Sequence, residues 1–231
     1  MSDETPRDDF APAQLLSFTG GYVDTFGFVT LFGLFTAHVT GNFVLIGAVL
    51  AGHGHGILGK LLALPTFVLA VAATRAWQRV RERRGRDSAV ALLAVQLVGL
   101  GAFMAAGLAA APIADPDEFE AIAVGLLGVA TMAIQNAAAR STFVKLSPST
   151  VMTGNVTQVT MDLVDLFQGD ALPEVARLRV AKLWPPIVAF AAGATAAGLL
   201  ARHLGFWALL VPMLALLALA VRLRSASSST P

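Results

Sequence analysis

Two copies of the triplet Thr-Gly-Asn are the residues of this chain whose types and spacing could do chemistry. One copy is Thr40, Gly41 and Asn42, and the other, 113 residues later, is Thr153, Gly154 and Asn155. Threonine and asparagine oxygens accept the unpaired N–H groups at a helix start, and glycine permits a sharp turn. Each triplet therefore predicts a helix start. Two such starts that face each other would favour an anion or the electronegative end of a neutral solute.

Three further polar residues stand in apolar sequence, namely Asp24, Gln135 and Asn136. A carboxylate inside a membrane costs at least about 2.5 kcal/mol, so Asp24 is expected to face a cavity or a partner. Three roles are open for Asp24. It couples transport to protons or cations, it accepts a hydrogen bond from the substrate, or it makes a structural tie to Thr, Asn or Arg140 of another span. Gln135 and Asn136 either line the same site or form hydrogen bonds between helices.

The composition of the chain indicates that these residues lie in a membrane protein. Of its 231 residues, 56% are hydrophobic and 13% are charged, whereas a soluble domain has about 25% charged residues. The net charge of +1 provides no field that would attract nucleic acid. The absence of cysteine excludes disulfides, thiol catalysis and cysteine-ligated metals.

Six stretches are long and apolar enough to cross a bilayer with help from their flanks: residues 13–35, 57–80, 89–111, 119–140, 184–201 and 205–221. Two shorter apolar helices are predicted after the triplets, over residues 42–50 and 155–166. At about 1.5 Å per residue they cover roughly half a bilayer. Lys60 and Arg75 are expected to snorkel outward from the second span, and residues 169–182 to form a short amphipathic helix on the inner surface.

The charges of the loops indicate which stretches cross. The arginine-rich loop at 79–87 and the basic loop at 177–182 are predicted to be cytoplasmic, and the loop at 112–118, without Lys or Arg, to be external. The segment 141–167 then starts and ends on the same side, so it dips into the membrane and returns. If the N-terminus is cytoplasmic, the first triplet dips from the opposite side, and both termini are cytoplasmic.

The order of span, dip, span, span thus occurs twice, and each half makes an odd number of crossings. We therefore predict an all-α integral membrane protein with six transmembrane helices and two re-entrant half-helices, arranged as a 3+3 inverted repeat. The expected parts are a polar tail (1–12), a first repeat (13–114), a second repeat (115–222) and a second polar tail (223–231). Paired interrupted segments in inverted repeats are typical of transporters.

Other interpretations of these motifs remain open. Thr-Gly-Asn is also an ordinary turn, or a cap for a helix at the membrane interface. His38, His53 and His55 suggest a metal site, but we expect a solvated loop and no metal. The chain has no nucleophile elbow, phosphate-binding loop, dinucleotide fingerprint or zinc-protease motif, so neither an enzyme nor a cofactor is expected.

The stretch GGYVDTFGFVTLFGLFTAHVTGN, together with MAIQNAAAR and PSTVMTGN, resembles the YoaK-like family of bacterial inner-membrane proteins, a domain of unknown function. The likeness covers about residues 13–222 and implies a multi-pass protein of the inner membrane. The opposed half-helices are also similar, in topology alone, to those of the uracil and sulfate permease class. Aquaporins place their half-helix after the second span of each repeat, and here it follows the first.

Together these patterns favour a secondary transporter or permease for a small solute, with a midplane site between the two triplets. A passive channel with the same lining is the first alternative, and a membrane protein with a structural or sensing role is the second. The expected partners are the lipid bilayer and a small molecule or ion. The small residues of 189–201 predict close helix packing, either within the chain or across a homodimer.

Overall fold

The computed structural model describes residues 10–169 and 172–228, which form helices joined by turns and irregular segments, without a strand. The α-helices are α1 (Phe10–Thr30), α2 (Gly41–Leu50), α3 (Ile57–Arg83), α4 (Ala89–Ala110), α5 (Phe119–Ala139), α6 (Met152–Gln168), α7 (Pro173–Leu204) and α8 (Leu210–Ser228). A short 3₁₀ helix (Gly205–Leu209) joins α7 to α8. The prediction of an all-α fold is confirmed for these residues.

Four stretches of the described residues are long and apolar enough to cross a membrane: α3, α4, α5 and the continuous run Pro173–Ser225, which contains α7 and most of α8. A multi-pass membrane protein is therefore supported. Helix α1 has 21 residues but is too polar for this group, because Gln14, Asp24 and several glycine and hydroxyl residues lower its hydropathy. Its Tyr22 and Phe26 are fully buried, so α1 is enclosed by other helices.

The helices pack in a definite set of pairs. Helix α1 lies against α7, and α5 lies against α3. Helix α4 packs against α5, α8 packs against α1, α2 against α3, and α6 against α7. The rings of Phe26, Phe103 and Phe206 meet edge to face, with centroids 5.4–5.9 Å apart, and so join α1, α4 and the 3₁₀ helix.

Glycines bring α1 and α7 into backbone contact. A Cβ atom at Gly21 would lie 2.2 Å from the carbonyl oxygen of Phe190, and one at Gly193 would lie 2.2 Å from that of Phe18. Both distances are far below van der Waals contact, so each position excludes a side chain. The close packing predicted for residues 189–201 therefore occurs within the chain.

Two irregular segments separate the helices beside the triplets. The first connecting segment (residues 31–40) joins α1 to α2, and the second connecting segment (residues 140–151) joins α5 to α6. Thr36 of the first lies against Gly27 of α1 and Gly128 of α5, where added Cβ atoms would meet its methyl group at 2.7 and 3.1 Å. The carbonyl oxygen of Ser149 lies equally close to Gly20 of α1. Both segments therefore run alongside α1.

Helices α6 and α7 extend beyond their predicted bounds. Helix α6 has 17 residues, about 25 Å at the usual rise per residue, and is therefore longer at both ends than the predicted helix over 155–166. Helix α7 has 32 residues and continues through Pro185 and Pro186, so residues 173–182 are not a separate surface helix. The fully buried carboxylate of Asp162 accepts hydrogen bonds from Nε of Arg179 at 3.1 and 3.2 Å, which holds the two helices together.

The prediction that Lys60 snorkels outward is also wrong. Lys60 is 4% exposed, and its Nζ donates to the carbonyl oxygens of Phe32, His55 and Gly56 at 2.9, 2.6 and 3.1 Å. These carbonyls lie outside helices and need donors, which an inward-pointing ammonium group supplies.

Candidate functional site

Asp24 fastens the first connecting segment to α1. Its side chain is 6% exposed, and Oδ1 accepts hydrogen bonds from the backbone N–H groups of Ala37 at 2.6 Å and His38 at 3.2 Å. The Thr36 hydroxyl lies 3.5 Å from the same oxygen, and Oδ2 lies 2.6 Å from Nδ1 of His38. Asp24 thus makes a structural tie, and its partners lie in the adjacent segment rather than at Arg140.

His38 extends this cluster to the other half of the chain. Its ring interacts with the backbone of Thr150, and the Thr150 hydroxyl donates to Oδ1 of Asn136 at 2.7 Å. A polar chain therefore runs from Asp24 of α1 through both connecting segments to Asn136 of α5. We call Asp24, His38, Thr150 and Asn136 the central polar chain.

His38 does not lie in a solvated loop, because its Nδ1 lies 2.6 Å from the buried carboxylate of Asp24. His53 and His55 are exposed. The contact between Asp24 and His38 could have been predicted from Asp24 alone, because a carboxylate in an apolar helix needs a nearby hydrogen-bond donor. His38 is the first basic side chain that follows Asp24.

The asparagines of the two triplets make matching contacts. Nδ2 of Asn42 donates to the carbonyl of Phe35 at 2.9 Å, and Nδ2 of Asn155 donates to the carbonyl of Pro148 at 3.1 Å. Asn42 also accepts from the Phe35 N–H at 2.9 Å. Pro148 has no N–H, and Asn155 instead donates a second bond, to Oγ of Ser147 at 3.0 Å. Each asparagine ties its helix to the carbonyl seven residues earlier.

Each triplet lies at a helix start, as predicted, but the predicted capping hydrogen bonds are not made. Thr40 is the N-cap residue of α2 but makes no side-chain cap hydrogen bond. Helix α6 begins at Met152, so Thr153, Gly154 and Asn155 lie within its first turn. Thr40, Thr153 and Gly154 are exposed and are not gathered into one enclosed site.

The two triplet glycines differ in what surrounds them. A Cβ atom at Gly41 would lie 2.9 Å from the ring of Phe35, so the first triplet requires glycine for close approach. No atom lies within 4 Å of a Cβ at Gly154, and nothing in the structure explains that glycine.

Gln135 lies at the junction of three helices and the second connecting segment. It is 1% exposed, and its Nε2 donates to the carbonyl of Leu16 at 2.8 Å and to Oγ of Ser149 at 3.0 Å. Its Oε1 accepts from Gln96 of α4 at 2.7 Å. Both ends of the amide are used, so Gln135 serves helix packing, which was one of its two predicted roles.

Sequence reasoning missed a polar cleft between α3 and α5. The cleft has a volume of about 650 Å³ and is lined by Phe67, Val71, Arg75, Gln78, Glu82, Asn136, Ala137, Arg140, Ser141 and Val144. Of the predicted site residues only Asn136 lines it. The available signals were Arg75 and Arg140, which stand near the ends of apolar stretches and were interpreted as span boundaries. Within residues 10–169 and 172–228, no group of three His, Asp or Glu side chains could hold a metal.

Comparison with known proteins assigns a family without an activity. No curated protein and no solved structure matches the chain. The model of the family described as "Protein of unknown function (DUF1275)" matches residues 13–222. This agrees with the YoaK-like resemblance in its extent and in the unknown function. Because the match covers most of its length, the chain belongs to the DUF1275 family.

Proposed function

We propose that this protein is a secondary transporter of a small solute, built as a 3+3 inverted repeat with six membrane-crossing helices. In this arrangement α1, α3 and α4 correspond to α5, α7 and α8, and α2 and α6 are the interrupted elements. The central polar chain lies where the two halves meet. The single observation that carries the proposal is that both connecting segments pack against α1 on either side of the buried carboxylate of Asp24, through Thr36 at Gly27 and Ser149 at Gly20.

The helix pairs support a two-fold relationship. Exchanging α1 with α5 and α3 with α7 turns the α1–α7 pair into the α5–α3 pair. Exchanging α4 with α8 likewise turns the α4–α5 pair into the α8–α1 pair, and exchanging α2 with α6 turns α2–α3 into α6–α7. All of these pairs are in contact.

Individual hydrogen bonds support the same relationship. The bond from Asn42 to Phe35 has its counterpart in that from Asn155 to Pro148. The bond from Lys60 to the Phe32 carbonyl has its counterpart in that from Lys182 to the Lys145 carbonyl, at 2.9 and 2.7 Å. The three pairs 42 and 155, 35 and 148, and 32 and 145 each differ by 113 positions.

The chemistry of the junction supports coupled transport rather than a static scaffold. Asp24 and His38 form an acid–imidazole pair at 2.6 Å, and imidazole titrates near neutral pH. A change of charge on the His38 ring alters its interactions with Asp24 in the first half and with the backbone of Thr150 in the second, and with them the link between the halves. Movement of one repeat against the other is the usual basis of alternating access.

Flux through reconstituted protein tests the proposal. The purified full chain is placed in liposomes and offered a panel of radiolabelled carboxylates, phosphate and uncharged sugars, with and without a pH gradient. We expect saturable uptake of one class that responds to the gradient and is abolished in Asp24→Asn. Glu120→Gln, an exposed acid at the start of α5, is the matched control and should leave uptake unchanged.

Two outcomes would overturn the proposal. Rapid flux that neither saturates nor depends on Asp24 would indicate a channel. No flux of any panel member through protein that remains folded would indicate a structural or sensing role.

A further inference from the structure

An apolar groove runs between α3 and α4, apart from the central polar chain. Helices α3 and α4 each pack against α5, which forms the floor of the groove. The groove has a volume of about 320 Å³ and opens on the outer face of three helices of membrane-spanning length. We call it the α3–α4 groove. Its lining includes Ala70, Ala73 and Trp77 of α3, Val95 of α4, and Ala130 and Ile134 of α5.

The lining of the α3–α4 groove fits a hydrocarbon chain. Its one hydroxyl group, that of Thr74, donates to the carbonyl of Ala70 at 2.7 Å. The other lining side chains are those of alanine, leucine, isoleucine, valine and one tryptophan. Indole rings are enriched where the hydrocarbon of a membrane meets the headgroups, so Trp77, which is 37% exposed, marks the headgroup end of the groove.

Arg81 lies at that end, about one helical turn beyond Trp77. Its guanidinium carbon is 5.0 Å from the centroid of the Trp77 ring, and its Nε and Nη2 donate to the carbonyl oxygen of Asp87 at 3.3 and 2.5 Å. Nη1 has no partner in the described part of the chain. Arg81 is therefore fixed beside the groove and keeps free donors, and guanidinium groups bind phosphate through paired hydrogen bonds.

The segment around Arg81 has an excess of positive charge. Residues 79–87 contain five arginines and two acids. The carboxylate of Glu82 is paired with Arg75 at 2.7 Å, and that of Asp87 accepts from a backbone N–H at the start of α4 at 3.1 Å. Among the described residues, neither acid forms an ion pair with an arginine of the segment. Basic segments beside a membrane-spanning helix attract anionic lipids.

We infer that the α3–α4 groove binds an anionic phospholipid. One acyl chain lies along the groove and covers apolar side chains that the helices leave open, including Ala73 and Val95. The phosphate pairs with Arg81, and the positive charge of residues 79–87 selects an anionic headgroup over a zwitterionic one. This inference goes beyond the proposed function, because a lipid site on the outer face of the helices requires no transport.

Trp77 reports on occupancy of the groove, because bromine on an acyl chain quenches a tryptophan in contact with it. The full chain carries Trp184→Phe and Trp207→Phe, both at exposed positions, which leaves Trp77 as the one tryptophan. It is reconstituted in phosphatidylcholine vesicles that contain a small fraction of brominated phosphatidylglycerol or brominated phosphatidylcholine. We expect phosphatidylglycerol to occupy the site about fivefold more readily, the usual scale for one arginine beside an anionic headgroup.

Two pairs of variants separate the groove from the general charge of the segment. Arg81→Gln should abolish most of the preference, whereas Arg83→Gln, an equal change of charge at an exposed position, should leave most of it. Ala73→Leu fills the groove and should lower quenching by brominated phosphatidylglycerol to that by brominated phosphatidylcholine. Ala72→Leu, at an exposed neighbouring position that does not line the groove, should leave the preference unchanged.

A measurement on the unmodified chain keeps the inference independent of the folding of any variant. Native mass spectrometry of protein released from an equimolar mixture of the two lipids should show phosphatidylglycerol retained in preference to phosphatidylcholine. Equal retention of the two lipids, or retention of neither, would overturn the inference. Equal losses of preference in Arg81→Gln and Arg83→Gln would also overturn it, because they would indicate diffuse attraction to the loop. So would a preference that Ala73→Leu leaves intact, because the acyl chain would then lie elsewhere.

Discussion

At the scale of residues, the two triplets share one kind of contact. In each of them the asparagine forms a hydrogen bond with a carbonyl seven residues earlier, and neither triplet caps its helix. Asn42 is 1% exposed and Asn155 is 5% exposed, so each amide replaces water that the connecting segment has lost. Such bonds hold an irregular backbone segment in place where water is excluded and unpaired carbonyls are costly.

Replacing Asn42 with alanine should therefore destabilise the protein. The change removes both hydrogen bonds to Phe35 and leaves its partly buried N–H and C=O unpaired, which costs up to about 1–3 kcal/mol for each group. Thermal unfolding in detergent measures the effect. Thr40→Ala, two positions earlier at an exposed site without a cap bond, should stay within about 0.5 kcal/mol of the unmodified protein. Equal shifts in the two variants would contradict the anchoring role.

The buried polar residues of the candidate site could be identified from the sequence more readily than their hydrogen-bond partners. Asp24, Gln135 and Asn136 stand out because each is polar in apolar sequence. Their contacts depend on the path of the connecting segments, which local periodicity does not encode. The bond between Gln78 and Ser141 joins positions 63 residues apart, and for that reason the cleft was missed.

At the scale of elements, the α1–α7 contact is set by two glycines, and this predicts a severe effect from a single methyl group. A Cβ at Gly193 would meet the backbone of Phe18 rather than a movable side chain, so the helices must separate. We expect Gly193→Ala to lose about 1–3 kcal/mol of stability through overpacking. Fluorescence-detected size-exclusion chromatography after heating measures this loss of stability.

The matched control lies on the same helix. A Cβ at Gly198 would have no neighbour within 4 Å, so Gly198→Ala should be neutral or slightly stabilising, because alanine is the better helix former. If Gly198→Ala were as harmful as Gly193→Ala, helix propensity or lipid contact would explain the loss and the close crossing would not.

The pair that joins α6 to α7 predicts a pH dependence. Helix α6 is not among the four membrane-length stretches, and hydrogen bonding from Arg179 holds the pKa of the Asp162 carboxyl below its usual range. A lowered pKa in the folded state stabilises the protein above the unfolded pKa of about 4. That stabilisation disappears as the pH falls through the folded value.

Asp162→Asn should therefore lower the unfolding temperature at pH 7. The difference in unfolding temperature between this variant and the unmodified protein should become smaller below about pH 4. The exposed Glu174→Gln at the start of α7 should show a small offset throughout this range. A difference in unfolding temperature that grows on acidification would have the opposite pH dependence and would contradict a stabilising contact between Asp162 and Arg179.

The lengths of α6 and α7 were not predictable from apolar runs alone. The charged residues that interrupt the hydropathy include Asp162, inside the predicted short helix over 155–166, and Arg179, which was interpreted as part of a cytoplasmic loop. In the fold they face each other across the two helices, so the helices continue through them. By contrast α3, α4 and α5 were located to within a few residues, since their apolar runs are continuous.

At the scale of the whole molecule, the proposed inverted repeat makes a prediction that a parallel repeat does not share. The loop at His53, between α2 and α3, corresponds to the turn at Gln168, at the end of α6. An inverted repeat places these two positions on opposite sides of the membrane, whereas a parallel repeat places them on the same side. The chain has no native cysteine, so single cysteines at the two positions report on this directly.

We expect an impermeant maleimide applied to intact cells to label His53→Cys and not Gln168→Cys, which should react only after permeabilisation. Asp115→Cys and Arg84→Cys are the controls, because the loop charges predict an external position for 115 and a cytoplasmic one for 84. All four positions are exposed, so a failure to react reflects the side of the membrane rather than burial. Labelling of 53 and 168 from the same side would leave the hydrogen-bond correspondence intact but remove the inversion. The central polar chain would then join two halves of the same orientation, and the alternating exposure required of a carrier would lose its structural basis.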